Sequence, residues 1–242
     1  MLTAYDFPTA KLLDEAGIDL LLVGDSLAMV VQGHETTLPV TLDQMIYHAE
    51  MVARAARRAM VIVDLPFPEG QLSIDQTLRA AARILKETRA TAVKLEGGAE
   101  QAERIAGLAR AGIPVMAHIG LRPQNVHVDG GYVIQRDEDR IVNDAIVAEQ
   151  AGAFSVLVEC VPSSVAKRVT ESVAVPTIGI GAGPSVSGQV LVINDLIGMT
   201  SGYLPRFVSQ LAGVGDAIRA AAKAYHASVR ESTFPGPEHE FK

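Results

Sequence analysis

The stretch Ala92-Val93-Lys94-Leu95-Glu96-Gly97-Gly98 decides how this chain is read. Residues 92–95 form a short β-type run in which one cation, Lys94, stands among apolar neighbours, and an acid, Glu96, closes it. Strands covered on both faces read as nearly continuous apolar runs, whereas half-solvated strands alternate apolar with polar. Six further runs have this composition, at 2–5, 20–23, 61–63, 115–117, 155–158 and 177–180, and a weaker eighth is expected within 191–199. Amphipathic segments lie between them at 8–16, 42–57, 74–87, 99–111 and 141–151. Several stop at a glycine just ahead of the next strand (Gly17, Gly112, Gly152), where a left-handed residue closes a helix.

Alternating strands and helices predict a parallel sheet. With seven or eight units in 242 residues, closure into a single (β/α)8 TIM barrel is favoured over an open doubly wound sheet. No Pro/Gly/Ser-rich linker interrupts the chain, so one domain over 1–242 is expected, with an extended tail from about 232. The net charge of −7, the absence of Trp and the lack of a dense basic run argue against nucleic-acid binding. No apolar stretch is long enough to span a bilayer, and no signal peptide opens the chain. A single cysteine, Cys160, excludes a disulfide framework and suits the cytoplasm.

Polar residues recur where the strands end: Asp6, Asp25 with Ser26, Asp64, Lys94 with Glu96, His118 and Glu159. In a parallel barrel these ends converge on one face, and enzymes of this architecture work there. Asp25, Asp64 and Glu96 would repel one another unless a divalent cation joined them, and oxygen-only ligands suit Mg2+, with Mn2+ possible. Separately, each acid could be a helix cap or a solvated loop residue. Lys94 would need a carboxylate or an anionic substrate, and a structural pair with Glu96 or Asp64 is the alternative. His118 reads as a site residue rather than a satisfied core histidine. Glu159, after an apolar run, would have the raised pKa of a general base, a structural ion pair being the alternative. Gly179, Gly181 and Gly183 make only part of a dinucleotide fingerprint and fit a close approach of ligand or backbone instead. Cys160 is expected to face away from Glu159, and the role of His34 stays open.

These residues fall within a longer pattern: Gly24-Asp25-Ser26-Leu27, Val31-Gln32-Gly33-His34, Thr37-Leu38-Pro39-Val40-Thr41, Asp64-Leu65-Pro66-Phe67, Lys94-Leu95-Glu96-Gly97-Gly98, His118-Ile119-Gly120-Leu121, Glu159-Cys160-Val161-Pro162 and a closing Phe234-Pro235-Gly236. Over nearly its whole length the chain resembles the ketopantoate hydroxymethyltransferase family of the phosphoenolpyruvate/pyruvate barrel superfamily. The resemblance implies transfer of a hydroxymethyl group from 5,10-methylenetetrahydrofolate to 3-methyl-2-oxobutanoate in pantothenate biosynthesis. It also implies Asp25 and Asp64 as Mg2+ ligands with Glu96 as a third, and substrate contacts from Asp25, Ser26, Asp64, Lys94 and His118. Glu159 would be the proton acceptor, and the chain a homo-oligomer, commonly a decamer. The alternatives are another metal-dependent lyase or mutase of the superfamily, or a barrel that only binds a metabolite.

The chain departs from the family pattern in four places. It opens at Met1 about one helix late. It has Pro68-Glu69-Gly70 after Phe67, Arg122 where Thr is common, and Arg136 in the loop after Tyr132. Arg122 and Arg136 are expected to alter recognition at the mouth.

Overall fold

The computed structural model describes residues 1–200 and 202–241, in two compact units, Met1–Val192 and Ile193–Lys242. In the first unit eight parallel strands follow one another in sequence order: β1 Leu2–Thr3, β2 Leu20–Val23, β3 Met60–Asp64, β4 Ala92–Glu96, β5 Val115–Gly120, β6 Ser155–Glu159, β7 Thr177–Ile180 and β8 Gly188–Gln189. Leu2 also bridges Leu191 in parallel, and Thr3 N–H donates to the Leu191 carbonyl, so the first and last strands meet. The sheet is a curled barrel, as expected. The eighth strand, however, lies at Gly188–Gln189 rather than within 191–199, where the chain instead forms a short helix, Ile193–Leu196. That strand is two residues long and carries no apolar run, so periodicity could not mark it.

The connecting helices are α1 Phe7–Glu15, α2 Leu27–Val30, α3 Leu42–Ala55, α4 Ile74–Glu87, α5 Ala102–Arg110, α6 Glu138–Gln150 and α7 Ser163–Ser172. Side-chain caps start four of them, α1, α3, α4 and α6. Thr41 and Ser73 each accept from the backbone N–H of a Gln three residues on, and that Gln side chain accepts in return from the cap residue's N–H. Asp6, expected at the mouth, is such a cap: its Oδ1 accepts from Thr9 N–H, and the residue is exposed.

Strand periodicity sorts the core into two shells. Leu22, Ile62, Ala92, Met116, Leu157 and Ile178, one from each of β2 to β7, form a single buried cluster with Val190 that fills the barrel. Residues of the other parity face the helices: Ile119, Val156 and Val158 pack with Ile141, Val142 and Ala145 of α6 and Val165, Ala166 and Val169 of α7.

The second unit contains α8 Ile193–Leu196 and α9 Val214–Arg230, neither of the matching segments having been read as helix. None of the residues of α9 is buried. The segment from 232, expected to be extended, turns back on this helix. Phe234 meets the Tyr225 ring edge-on at 5.5 Å, and a 3-10 turn follows at Pro237–His239. Among the described residues no helix is long and apolar enough to cross a membrane.

Candidate active site

The plug and the site share one alternation. Two residues beyond Ile62, Ala92, Met116 and Leu157 stand Asp64, Lys94, His118 and Glu159, and two beyond Lys94 stands Glu96. Because successive strand side chains point to opposite faces, all five continue the inward column of their strand, above the apolar filling. Register then pairs them across strands, with Asp64 beside Lys94 and Glu96 beside His118. Glu159 lies opposite Gly120. A methyl group on Gly120 would stand 2.3 Å from the Glu159 carbonyl oxygen, and its φ is +89°, so only glycine lets β5 approach β6 here.

Asp25, Asp64, Lys94, Glu96 and His118 are each at most 4% exposed, and the Glu159 side chain is 18% exposed. Lys94 Nζ lies 3.1 Å from Asp64 Oδ1 and 2.9 Å from His118 Nδ1. An ammonium can only donate, so His118 Nδ1 must accept and its proton resides on Nε2. That Nε2 lies 3.1 Å from Glu159 Oε2, close but not aligned as a finished hydrogen bond. A continuous polar chain therefore runs Asp64, Lys94, His118, Glu159 across four adjacent strands.

Burial sets the protonation energetics. It raises Glu159 to about 7, with Lys94 pulling the other way. Asp64 is likewise raised to about 7 by burial, opposed by Lys94 and reinforced by Asp25. Asp25 and Glu96 are also raised by burial. For Lys94 burial acts downward, but Asp64, Glu96 and Asp25 outweigh it and the ammonium is held charged. His118 is pushed well down by burial and by Lys94, which agrees with the neutral tautomer that the geometry requires.

Ser26, ahead of α2, shares a 2.8 Å hydrogen bond with the buried Tyr5 hydroxyl. Asp25 N–H donates to Asp64 Oδ2 at 3.0 Å and ties the β2 loop to β3. Two pocket residues escaped sequence reasoning. Tyr5 lies just past β1, two residues beyond Thr3. Gln124, in the 3-10 turn Pro123–Asn125 after β5, donates from Nε2 to Asp25 Oδ2 at 2.9 Å, while its backbone N–H donates to Glu96 Oε2 at 3.0 Å. Its signal was its place directly after the His118 strand, in a loop that alternation does not reach.

Other expectations resolve at the rim. Arg122 is paired with Glu100, so its charge is already answered, whereas Arg136 is exposed. Gly183, at a φ of +80°, abuts Ser163 at the start of α7, where a methyl group would stand 2.6 Å from the Ser163 Cβ. Cys160 is a free thiol at a positive φ of 47°, and burial together with Glu159 pushes it up to about 12, which leaves it a poor nucleophile. His34 is exposed.

Among the described residues no three His, Cys, Asp or Glu side chains are gathered as a finished metal cluster. The donor chemistry nevertheless fits a hard divalent cation. Asp25, Asp64, Glu96 and Glu159 face a single ammonium and a neutral imidazole, and Glu96 Oε1 is buried without a hydrogen-bond partner.

A profile of ketopantoate hydroxymethyltransferase matches residues 1–237. The 3-methyl-2-oxobutanoate hydroxymethyltransferase of Rhodopirellula baltica is 66% identical over 242 residues, all of this chain and 90% of that protein. The same enzyme of Desulforapulum autotrophicum is 53% identical over 241 residues, covering 100% and 92% of the two chains. Among solved structures, phosphoenolpyruvate phosphomutase from Streptomyces platensis superposes with a TM-score of 0.66 at 15% identity, over 100% of this chain and 86% of that one. For 2,3-dimethylmalate lyase, a member of the PEP mutase/isocitrate lyase superfamily, the values are 0.61 and 18%, over 100% and 85%.

Proposed function

The chain belongs to the ketopantoate hydroxymethyltransferase family, and from that membership we infer that it converts 3-methyl-2-oxobutanoate to ketopantoate, with 5,10-methylenetetrahydrofolate as one-carbon donor. The observation that carries the chemical reading is the polar chain from Asp64 through Lys94 and His118 to Glu159. At one end Glu159 stands beside the neutral imidazole of His118, and at the other Asp64, with Asp25 and Glu96, surrounds one fixed cation, Lys94.

In this reading Glu159 takes the proton from C3 of the oxo-acid. A base with a pKa near the working pH combines a populated basic form with useful driving force. The Nε2–H of His118 faces Glu159 and orients its carboxylate. Lys94 Nζ supplies positive charge where negative charge develops on the substrate. Ser26, its hydroxyl held by Tyr5, orients the substrate carboxylate. Water cleaves the two C–N bonds of the folate's methylene group, leaving tetrahydrofolate and a formaldehyde-level one-carbon unit. The carbanion equivalent at C3 adds to that carbon, and its oxygen takes back the proton held by Glu159 to become the hydroxyl of ketopantoate. Asp25 and Asp64, with Glu96, would hold Mg2+ or a similar divalent ion, which when bound supplies Lewis acidity at the keto oxygen.

The homo-oligomer, a decamer by family resemblance, is supported by α9. Its apolar residues Ile218, Tyr225 and Val229 recur on one helical face and are 54%, 61% and 45% exposed.

The test is exchange of the C3 proton of 3-methyl-2-oxobutanoate for deuterium, followed by NMR in D2O without folate. Exchange is expected with Mg2+, not with EDTA, and Glu159→Gln should abolish it while retaining substrate binding. Exchange that survives Glu159→Gln would remove this residue as the base.

A further inference from the structure

We propose that Gln124 is the positioning residue that sets the carboxylates of Asp25 and Glu96 for cation binding, an assignment that rests on the metal reading above. Gln124 is 6% exposed and belongs to no strand. Its Nε2 donates to Asp25 Oδ2 at 2.9 Å and to the Leu65 carbonyl at 3.0 Å. Its backbone N–H donates to Glu96 Oε2 at 3.0 Å. One residue therefore grips one oxygen of each of two acids far apart in sequence, Asp25 in the loop after β2 and Glu96 at the end of β4.

The grip is chemically directed. Both partners of Nε2 are pure acceptors, so the amide can lie only one way round. The outward Oε1 then accepts from Gln71 Nε2 at 2.9 Å, which in turn locks Gln71, a residue of the loop after β3. On Glu96 the grip leaves Oε1 buried and without a hydrogen bond, so that oxygen remains available to a ligand. Two buried carboxylates, one on a loop and one on a strand, would otherwise turn away from each other by mutual repulsion. A neutral donor restrains them without cancelling the charge that attracts the cation. Lysine or arginine at this position would compete with the ion, and serine could not reach Asp25 while its backbone served Glu96. Outer partners of this kind commonly change metal affinity by about 10–100-fold when removed.

Gln124→Met keeps the side-chain length and the backbone N–H but removes both Nε2 donors. Mn2+ binding, titrated by electron paramagnetic resonance without substrate, should weaken by about 10-fold or more. Raising Mn2+ in proportion should restore C3 exchange, which a merely structural defect would not allow. Gln71→Met, which frees only the outer amide oxygen, should show a smaller loss in the same direction, and it decides the matter alone if Gln124→Met does not fold. Unchanged Mn2+ affinity in the folded variants overturns the proposal while leaving the metal reading intact. A wild-type protein that binds no Mn2+ overturns both.

Discussion

Glu159 is the residue on which the pH behaviour turns. Its carboxyl is raised to about 7 by burial, and as the proposed base it could take a proton only when ionised. At saturating Mg2+ the exchange rate should therefore climb with pH and level off once Glu159 is ionised, giving a rising sigmoid in a pH series of NMR exchange measurements, with its midpoint at or below about 7 because a nearby cation favours the ionised form. An ordinary carboxylate in that role would have given a rate already flat from pH 5 upward. His118 should not add a second rising limb, because burial and Lys94 hold it neutral through this range. At this scale the sequence was largely readable: Asp25, Asp64, Lys94, Glu96, His118 and Glu159 each close or follow an apolar run, and that is a local feature. Gln124 and Tyr5 were not, because what assigns them is a partner distant in sequence, Asp25 for the one and Ser26 for the other.

Among the elements, the β5–β6 pairing bears most directly on the position of Glu159, the proposed base. Gly120→Ala would place a methyl group against the Glu159 carbonyl and force a left-handed conformation, costing about 1–3 kcal/mol and shifting the strand end. Displacing a catalytic group by about 1 Å can cost roughly 100-fold in rate. The expected result is a lower melting temperature together with a large loss of exchange. Gly112→Ala makes the contrast: it has a φ of +80° but open space around it, so it should lower stability and leave exchange unchanged. Most elements were legible because each carries its own apolar period and its own stop. Where the period fails, so does the reading. Strand β8 has two residues with no apolar run. Helix α9 is amphipathic yet none of its residues is buried, and no strand context announced it.

For the whole molecule, the surplus of buried acids predicts how stability depends on pH and on the cation. Asp64 and Glu159 titrate near 7 when folded and near 4 when unfolded, so between these values the folded state holds more protons. Stability without metal should accordingly fall as pH rises from about 4 to about 7, and the loss should be complete above that. A cation bound by ionised Asp25, Asp64 and Glu96, as proposed, would offset this loss. The rise in melting temperature on adding Mg2+ should then be slight at pH 5 and grow toward pH 8, as thermal denaturation would record. A Mg2+ increment that is the same at every pH would speak against these acids as its ligands. The alternation that stacks the acids and the base above the apolar filling carries a further consequence, one of heredity. Each site-bearing strand from β3 to β6 transmits stability and chemistry on the same set of positions. A one-residue insertion or deletion inside such a strand would exchange inner and outer residues of both at once, and no second change nearby could rescue one without the other. Lineages of this barrel should therefore tolerate length changes in the loops of the rim while keeping the lengths of these strands fixed.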